Sequence, residues 1–326
     1  MSAHTQATAS MVQAQTGGQE AIVVDNFSKR YGSQRVVENL QFTVQRGELF
    51  ALLGPNGAGK TTTVETLEGY RTADEGSVRV LGLDPIRQAQ ELKPRISVML
   101  QQDGLYPALT AYEVLQLFAG YYRDPLEPRA LLERVGLTSA AKTRCRRLSG
   151  GQKRRLALAL AIIGRPEVVF LDEPTAGMDP QARQTTWEII RELKRDGVTL
   201  VLTTHLMDEA ERLADRIAII DHGRLIALDT PGNMTGVQNA SVVRFVAPEG
   251  LDCQQLAALP TVRKAEEIRA GSYLLETDTS DNAVPALLAD LTAWLRDNNI
   301  TLSELRVGHG SLEDLFLRLT GSEVRE

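Results

Sequence analysis

The chain has 326 residues, 43% of them hydrophobic, enough for one large domain and a smaller companion. Its net charge of −6 and lack of a long basic run argue against nucleic acid as the main partner, and none is expected. Cys145 and Cys253 form no metal or disulfide spacing, and no uncharged run of 18 apolar residues or apolar signal core occurs.

Residues 1–20 are small and polar and are expected to form a disordered tail. An apolar run from Ala21 to about Asn26 opens the first domain, and short strands with turns fill the stretch to Gly82. Phe50 to Leu53 reads as a buried strand end and Thr61 to Leu67 as the start of a helix. Between them runs Gly54-Pro-Asn-Gly-Ala-Gly-Lys-Thr61. Gly54, Gly57 and Gly59 are expected to take positive φ and bring backbone N–H groups close to a phosphate. Lys60 adds a point charge for the β- and γ-phosphates, and the Thr61 hydroxyl suits Mg²⁺. A phosphate loop of this kind serves many nucleotide enzymes, so the later segments decide among them.

From about 103 to 163 the pattern is helical, with an amphipathic stretch from Thr110 to Gly120 and a second helix from Arg129 to Val135. Leu148-Ser-Gly-Gly-Gln152 then precedes an Ala- and Leu-rich run, Lys153 to Ile163. Ser149 is a natural N-cap, and the N–H groups of the first turn offer a second anion site without a lysine. A plain capped helix after a glycine loop would look the same locally. Val168 to Leu171 is apolar and β-branched-rich, as a central parallel strand requires. It ends in Asp172 and Glu173, which places two carboxylates at the sheet's carboxyl edge, where α/β folds bind ligands. Asp172 is suited to Mg²⁺ and Glu173 to polarising water, although paired acids also occur in solvated turns. A further strand, Val198 to Thr203, leads to His205 and a helix from Leu206. Ile217 to Leu228 forms a hairpin turning at Gly223.

The composition changes near Thr230 to Met234. Beyond it, 241–246 and 272–277 read as strands and 252–259 as a helix. Residues 283–297 carry an amphipathic spacing, 301–307 alternate, and a capped helix runs from Ser311 to Leu319. This mixture suggests a small α+β sandwich of the ferredoxin-like kind. No chemistry is assigned to His309.

The phosphate loop, the Leu148 to Gln152 segment and the Asp172-Glu173 strand end together resemble the nucleotide-binding subunits of ATP-binding-cassette (ABC) transporters. The likeness covers about residues 21–235. It implies an α/β P-loop NTPase core (an ABC ATPase) with an inserted helical subdomain at about 103–163, followed by a small α+β domain over 236–322. It further implies ATP and Mg²⁺ as ligands. Gly54, Pro55, Asn56, Gly57, Ala58, Gly59, Lys60, Thr61 and Thr62 would bind ATP, and Thr61, Gln101 and Asp172 the metal. Glu173 and the switch residue His205 would be catalytic; a lone His is equally at home as a structural group. Gln101, or its neighbour Gln102, would join the metal site to the membrane partner.

Tyr31 would stack on adenine, or else is simply an exposed tyrosine on an edge strand. Leu148, Ser149, Gly150, Gly151 and Gln152 would act on the nucleotide of a partner subunit. Asp179, in Ala176-Gly-Met-Asp179, would belong to the loop that communicates across the dimer. The resemblance implies a homodimer or heterodimer of ATPase subunits on the cytoplasmic face of a membrane, driving a separate multi-span permease. The segments from Glu173 to Pro180, Thr203 to His205 and Gly310 to Thr320 look like those of ABC-2-type exporters of the drug-resistance (daunorubicin) kind. Two other readings stay open. One is a soluble ABC ATPase acting on ribosomes or DNA, though the chain has one cassette and no sustained heptad repeat. The other is a regulatory ATPase whose C-terminal domain binds an effector, against a C-terminal domain that only widens the dimer interface.

Overall fold

The computed structural model describes residues 20–99, 105–235, 241–277, 283–309 and 311–320. The expected tail up to residue 19, and Gln101 with Gln102, lie outside the described residues.

The chain opens with two long antiparallel strands, β1 (Glu20–Tyr31) and β2 (Gln34–Gln45), followed by β3 (Leu49–Leu53). Helix α1 (Lys60–Leu67), strand β4 (Glu75–Val80), helix α2 (Ala89–Leu92) and strand β5 (Ile96–Met99) come next. A helical stretch holds α3 (Ala111–Ala119), α4 (Pro128–Arg134) and α5 (Gly150–Ile162). Strands then alternate with helices: β6 (Val168–Asp172), α6 (Pro180–Arg195), β7 (Thr199–Thr203), α7 (Met207–Leu213) and β8 (Arg216–Asp221). Strand β9 (Arg224–Asp229) and α8 (Pro231–Thr235) close this part.

Six strands pair in the order β5-β6-β7-β3-β8-β9, all parallel except β9. Successive side chains on a strand point to opposite faces, so a sheet covered on both sides divides its residues between two cores. Leu49, Ala51 and Leu53 of β3 enter one core, with Val114 and Leu115 of α3, Leu156 of α5 and Ile190 of α6. Phe50 and Leu52 enter the other, which the antiparallel sheet β2-β1-β4 closes with Ile22, Val24, Phe42 and Val80. The continuous apolar run of β3 is the sequence signature of this double burial.

Local signals set the helix starts. Thr110 and Glu113 form a reciprocal capping box at α3. Glu127 caps α4, with Pro128 in its first turn. Asp179 caps α6, whose Trp187, Ile190 and Leu193 line its buried face. The β8–β9 turn falls at His222 (φ 46°) and Gly223 (φ 77°). Positive φ at both central residues is what a type I′ hairpin requires.

The C-terminal part comprises β10 (Ser241–Val246), α9 (Cys253–Ala257), β11 (Val262–Arg269), β12 (Ser272–Thr277), α10 (Ala283–Asp297) and β13 (Glu304–His309). Its sheet order β11-β12-β10-β13, antiparallel throughout, is the ferredoxin-like split βαβ arrangement. Val243, Phe245, Tyr273 and Leu275 meet Leu287, Leu291 and Leu295 of α10 in a separate core. Strand β11 was not expected from sequence, because Val-Arg-Lys-Ala-Glu-Glu-Ile-Arg269 lacks an apolar alternation. Strand β13 runs later than the expected 301–307.

Helix α11 (Leu312–Thr320) sends its apolar side chains away from that small core. Leu312 and Phe316 are buried in the first core, where the helix packs against α7 and α8. From the other direction, the Arg244 guanidinium of β10 donates to Ser311 Oγ at 3.1 Å and to the Asp314 carboxylate. The helix therefore lies between the two parts of the chain and contacts both.

Candidate nucleotide site

Strands β6, β7 and β3 are consecutive neighbours and run parallel, so their carboxyl ends fall along one edge. At the ordinary strand spacing, the ends of β6 and β3 stand about 10 Å apart. The loop after β3 carries the phosphate-loop residues, the end of β6 carries Asp172 and Glu173, and the segment after β7 carries His205. The topology thus gathers three sequence-distant segments at a ligand-binding edge.

Gly57 (φ 82°) and Gly59 (φ 101°) take the expected positive φ. Gly54 does not, and its requirement for glycine is different. A Cβ there would lie 2.2 Å from the Ile220 carbonyl oxygen of β8. Close approach of backbone to backbone, not backbone conformation, excludes a side chain at this position. Helix α1 begins at Lys60, one residue before the expected start.

The Lys60 ammonium donates to the carbonyls of Gly54 at 2.6 Å and Pro55 at 3.0 Å, within its own loop. Burial pushes the Lys60 pKa down, and the nearby carboxylates of Glu173 and Asp172 act in the opposite sense. Ala58 is buried, Asn56, Gly57 and Thr61 are exposed, and Pro55 and Thr62 are half-buried.

Asp172 Oδ1 accepts a hydrogen bond from Thr203 Oγ1 at 2.5 Å, joining β6 to β7 through side chains. Glu173 adopts φ 47°, a left-handed conformation that costs a non-glycine residue on the order of 1 kcal/mol or more. Its N–H donates to the Thr203 carbonyl at 2.8 Å, which helps hold this turn. The turn brings Glu173 Oε1 to 3.3 Å from His205 Nδ1. Two residues 32 positions apart in sequence are therefore in contact, both half-exposed to the edge where a ligand would sit.

Ser149 caps α5 with a full capping box: its hydroxyl accepts from Gln152 N–H, and the Gln152 side chain accepts from Ser149 N–H at 2.9 Å. Ser149 and Gly150 are exposed, Gly151 and Gln152 half-buried, and Leu148 buried. The first turn of this 13-residue helix thus faces solvent. Tyr31 ends β1, which is the middle strand of its sheet and not an edge. Its exposed ring has the Arg71 guanidinium 5.3 Å and the Lys29 ammonium 5.8 Å from its centroid. Asp179 spends its carboxylate on capping α6, accepting from the N–H groups of Gln181 and Ala182. Cys145 is a buried free thiol whose pKa burial pushes up, and Cys253 is a partly buried one. His309 ends β13 on the C-terminal sheet.

Sequence reasoning missed two buried acids here. Glu209, on α7, is fully buried. Glu68, at the end of α1, is nearly so, and burial together with the charges of Glu65 and Asp172 raises its pKa to about 8. Glu68 lines a cleft between α1 and α5 with Lys93, Phe118, Tyr122 and Arg154.

The sign of the Glu68 effect follows from linkage. The folded protein keeps this proton from about pH 4.5 to 8 while the unfolded chain releases it, so stability falls as pH rises through that window. Glu68→Gln is expected to stabilise the nucleotide-free protein by on the order of 2 kcal/mol at pH 8.5 and by little at pH 5. Urea unfolding at the two pH values measures it; an equal effect at both would show that Glu68 is ionised in the folded protein.

Comparison with known proteins accords with this geometry. Residues 37–176 match the family model for ABC transporters. The chain is 35% identical to the linearmycin resistance ATP-binding protein LnrL of Bacillus subtilis (strain 168), over 93% of this chain and 99% of the relative. It is 40% identical to the Nod factor export ATP-binding protein I of Paraburkholderia xenovorans (strain LB400), over 94% and 99%. It is 36% identical to the daunorubicin resistance ATP-binding protein DrrA2 of Streptomyces coeruleorubidus, over 92% and 95%. Among solved structures, the ATP-binding cassette MJ0796, a dimer in a post-hydrolysis state with ADP and Pi, superposes with a TM-score of 0.58. It is 25% identical and is matched over 98% of its length and 64% of this chain. A phosphate loop, an acidic strand end and a histidine brought to one sheet edge, in a chain aligned over more than nine-tenths of its length with such relatives, make this protein an ATP-binding subunit of the ABC transporter family.

Proposed function

We propose that the chain powers export, hydrolysing ATP at the edge formed by β3, β6 and β7 to drive a separate multi-span permease on the cytoplasmic face of a membrane. The cargo would be a drug or another hydrophobic compound. The 3.3 Å contact between Glu173 and His205 beside the Lys60 loop carries the enzymatic part of this reading. The export part rests on full-length similarity to proteins named for linearmycin resistance, daunorubicin resistance and Nod factor export. Among the described residues, no helix is long and apolar enough to cross a membrane, so a separate partner would supply the pathway.

The donor set suits Mg²⁺: Thr61 offers a hydroxyl and Asp172 a carboxylate, hard oxygens few enough for nucleotide phosphates to complete the shell. The metal would neutralise charge on the phosphates. Lys60 would leave the Gly54 and Pro55 carbonyls for the phosphates, with the loop N–H groups around it. Glu173 would orient and deprotonate the attacking water, and His205 would hold Glu173 and contact the γ-phosphate. Catalysis would rest on alignment and charge stabilisation.

The exposed first turn of α5 supports a dimer, because its N–H groups present partial positive charge outward. In that dimer Leu148 to Gln152 of one copy would close over the ATP held by the other, and Asp179 would lie along the shared surface. Tyr31 would lie against adenine. An exposed aromatic surface, Tyr70, Tyr106 and Tyr121 with Phe118 between the last two, borders the cleft lined by Glu68 and supports docking of the permease there.

Affinity capture of tagged Glu173→Gln protein from detergent-solubilised membranes with Mg-ATP tests the reading. Near-equal recovery of a multi-span membrane protein is expected. Recovery of ribosomes, DNA or the protein alone would refute the transport part.

A further inference from the structure

Glu209 is fully buried, lies four residues after His205, and has no role in the site as described above. Its Oε1 accepts two hydrogen bonds, from Thr175 Oγ1 at 2.7 Å and from Trp187 Nε1 at 2.9 Å. Its Oε2 is buried, with no hydrogen-bond partner among the described residues. Two donors from different segments converge on one oxygen of this buried side chain, which an apolar residue could not hold. What the acid provides is a junction.

Thr175 lies two residues after Glu173, in the segment that runs on to Met178 and Asp179. Trp187 belongs to α6, and Glu209 to α7, the helix that follows His205. Thr175 and Trp187 are themselves buried, so these bonds are shielded from water and strengthened by it. Further packing tightens the same knot: the Thr186 hydroxyl lies 3.4 Å from Met178 Sδ, and the Arg212 guanidinium of α7 lies 5.6 Å from the Trp187 ring.

The two residues in contact at the site thus sit at the free ends of one clamp. Glu173 is held by a short tether through Thr175, and His205 by a short tether through the start of α7. A shift of either tether changes their separation. We propose that Glu209 is a positioning residue for hydrolysis: by binding Thr175 and Trp187 it locks the 173–179 segment to α7 and holds Glu173 and His205 in reactive register. The inference rests on the assignment of Glu173 and His205 above.

The test is steady-state kinetics of the purified full chain, with ATP affinity measured separately by equilibrium titration. Glu209→Ala is expected to lower kcat by about 10- to 100-fold, and Thr175→Val by about three- to tenfold, each with ATP affinity within about twofold. Glu209→Gln keeps an oxygen for both donors and is expected to recover most of the loss. If Glu209→Ala fails to fold, Thr175→Val carries the test, since it removes one donor at nearly constant volume; Trp187→Phe removes the other donor but also part of the buried ring. A merely structural residue would act independently of His205. In a His205→Ala background, Glu209→Ala or Thr175→Val is therefore expected to add less than about twofold.

Unchanged kcat in the Glu209 and Thr175 variants, or full additivity with His205→Ala, would overturn the proposal. Unimpaired hydrolysis by Glu173→Gln or His205→Ala would instead overturn the underlying site assignment.

Discussion

Glu173→Gln is expected to lower ATP turnover by at least about a hundredfold while leaving ATP affinity within about twofold. The amide matches the carboxylate in size, so the left-handed turn at φ 47° and the N–H bond to the Thr203 carbonyl survive. An amide oxygen can still orient water, but it cannot take the proton that attack on phosphorus releases. In the proposed site, binding would rely on Lys60 and the loop, which the substitution does not touch. The variant is therefore expected to accumulate, with Mg-ATP, as a long-lived dimer that the wild type forms only transiently. Single-turnover phosphate release and light scattering on a sizing column measure the two halves of this expectation. Near-normal turnover would remove Glu173 from the reaction.

Lys60→Ala is expected to weaken ATP binding by about 10- to 100-fold, the effect of losing a charge-assisted hydrogen bond in a partly desolvated site. Burial already disfavours the Lys60 ammonium, and the charges of Asp172 and Glu173 only partly compensate. A phosphate would restore what burial takes away, which is why this charge counts for more than a surface lysine would. Both carbonyls that Lys60 engages lie at the mouth of the loop, so the fold is expected to tolerate the loss. Equilibrium titration with a fluorescent ATP analogue gives the affinity; an unchanged value would contradict the role given to Lys60.

Local chemistry explains how much was legible in the sequence. The phosphate loop, the acidic end of β6, the Ser149 cap and the hairpin at Gly223 each depend on residue types at fixed short spacings. Strands β3, β6 and β7 showed as apolar runs because both faces are covered. What remained hidden depends on partners distant in sequence. Gly54 was expected to need positive φ, whereas the real constraint is the Ile220 carbonyl 166 residues later. Nothing in the local sequence marks Glu68 or Glu209, and only the packing shows that both are buried. Strand β11 gave no alternation because its residues are almost all half-buried or exposed, and pairing with β12 defines it.

The position of α11 has a consequence for synthesis. A ribosome makes residues 312–320 some 80 residues after the last strand of the six-stranded sheet, yet Leu312 and Phe316 belong to the core that this sheet shares with its helices. Until they emerge, the nascent ATPase body carries an open apolar seam along α7 and α8. A chain cut before residue 312 would keep the edge formed by β3, β6 and β7 and leave that seam uncovered. Helix α11 thus ties completion of the ATPase core to synthesis of the segment that carries the small sheet.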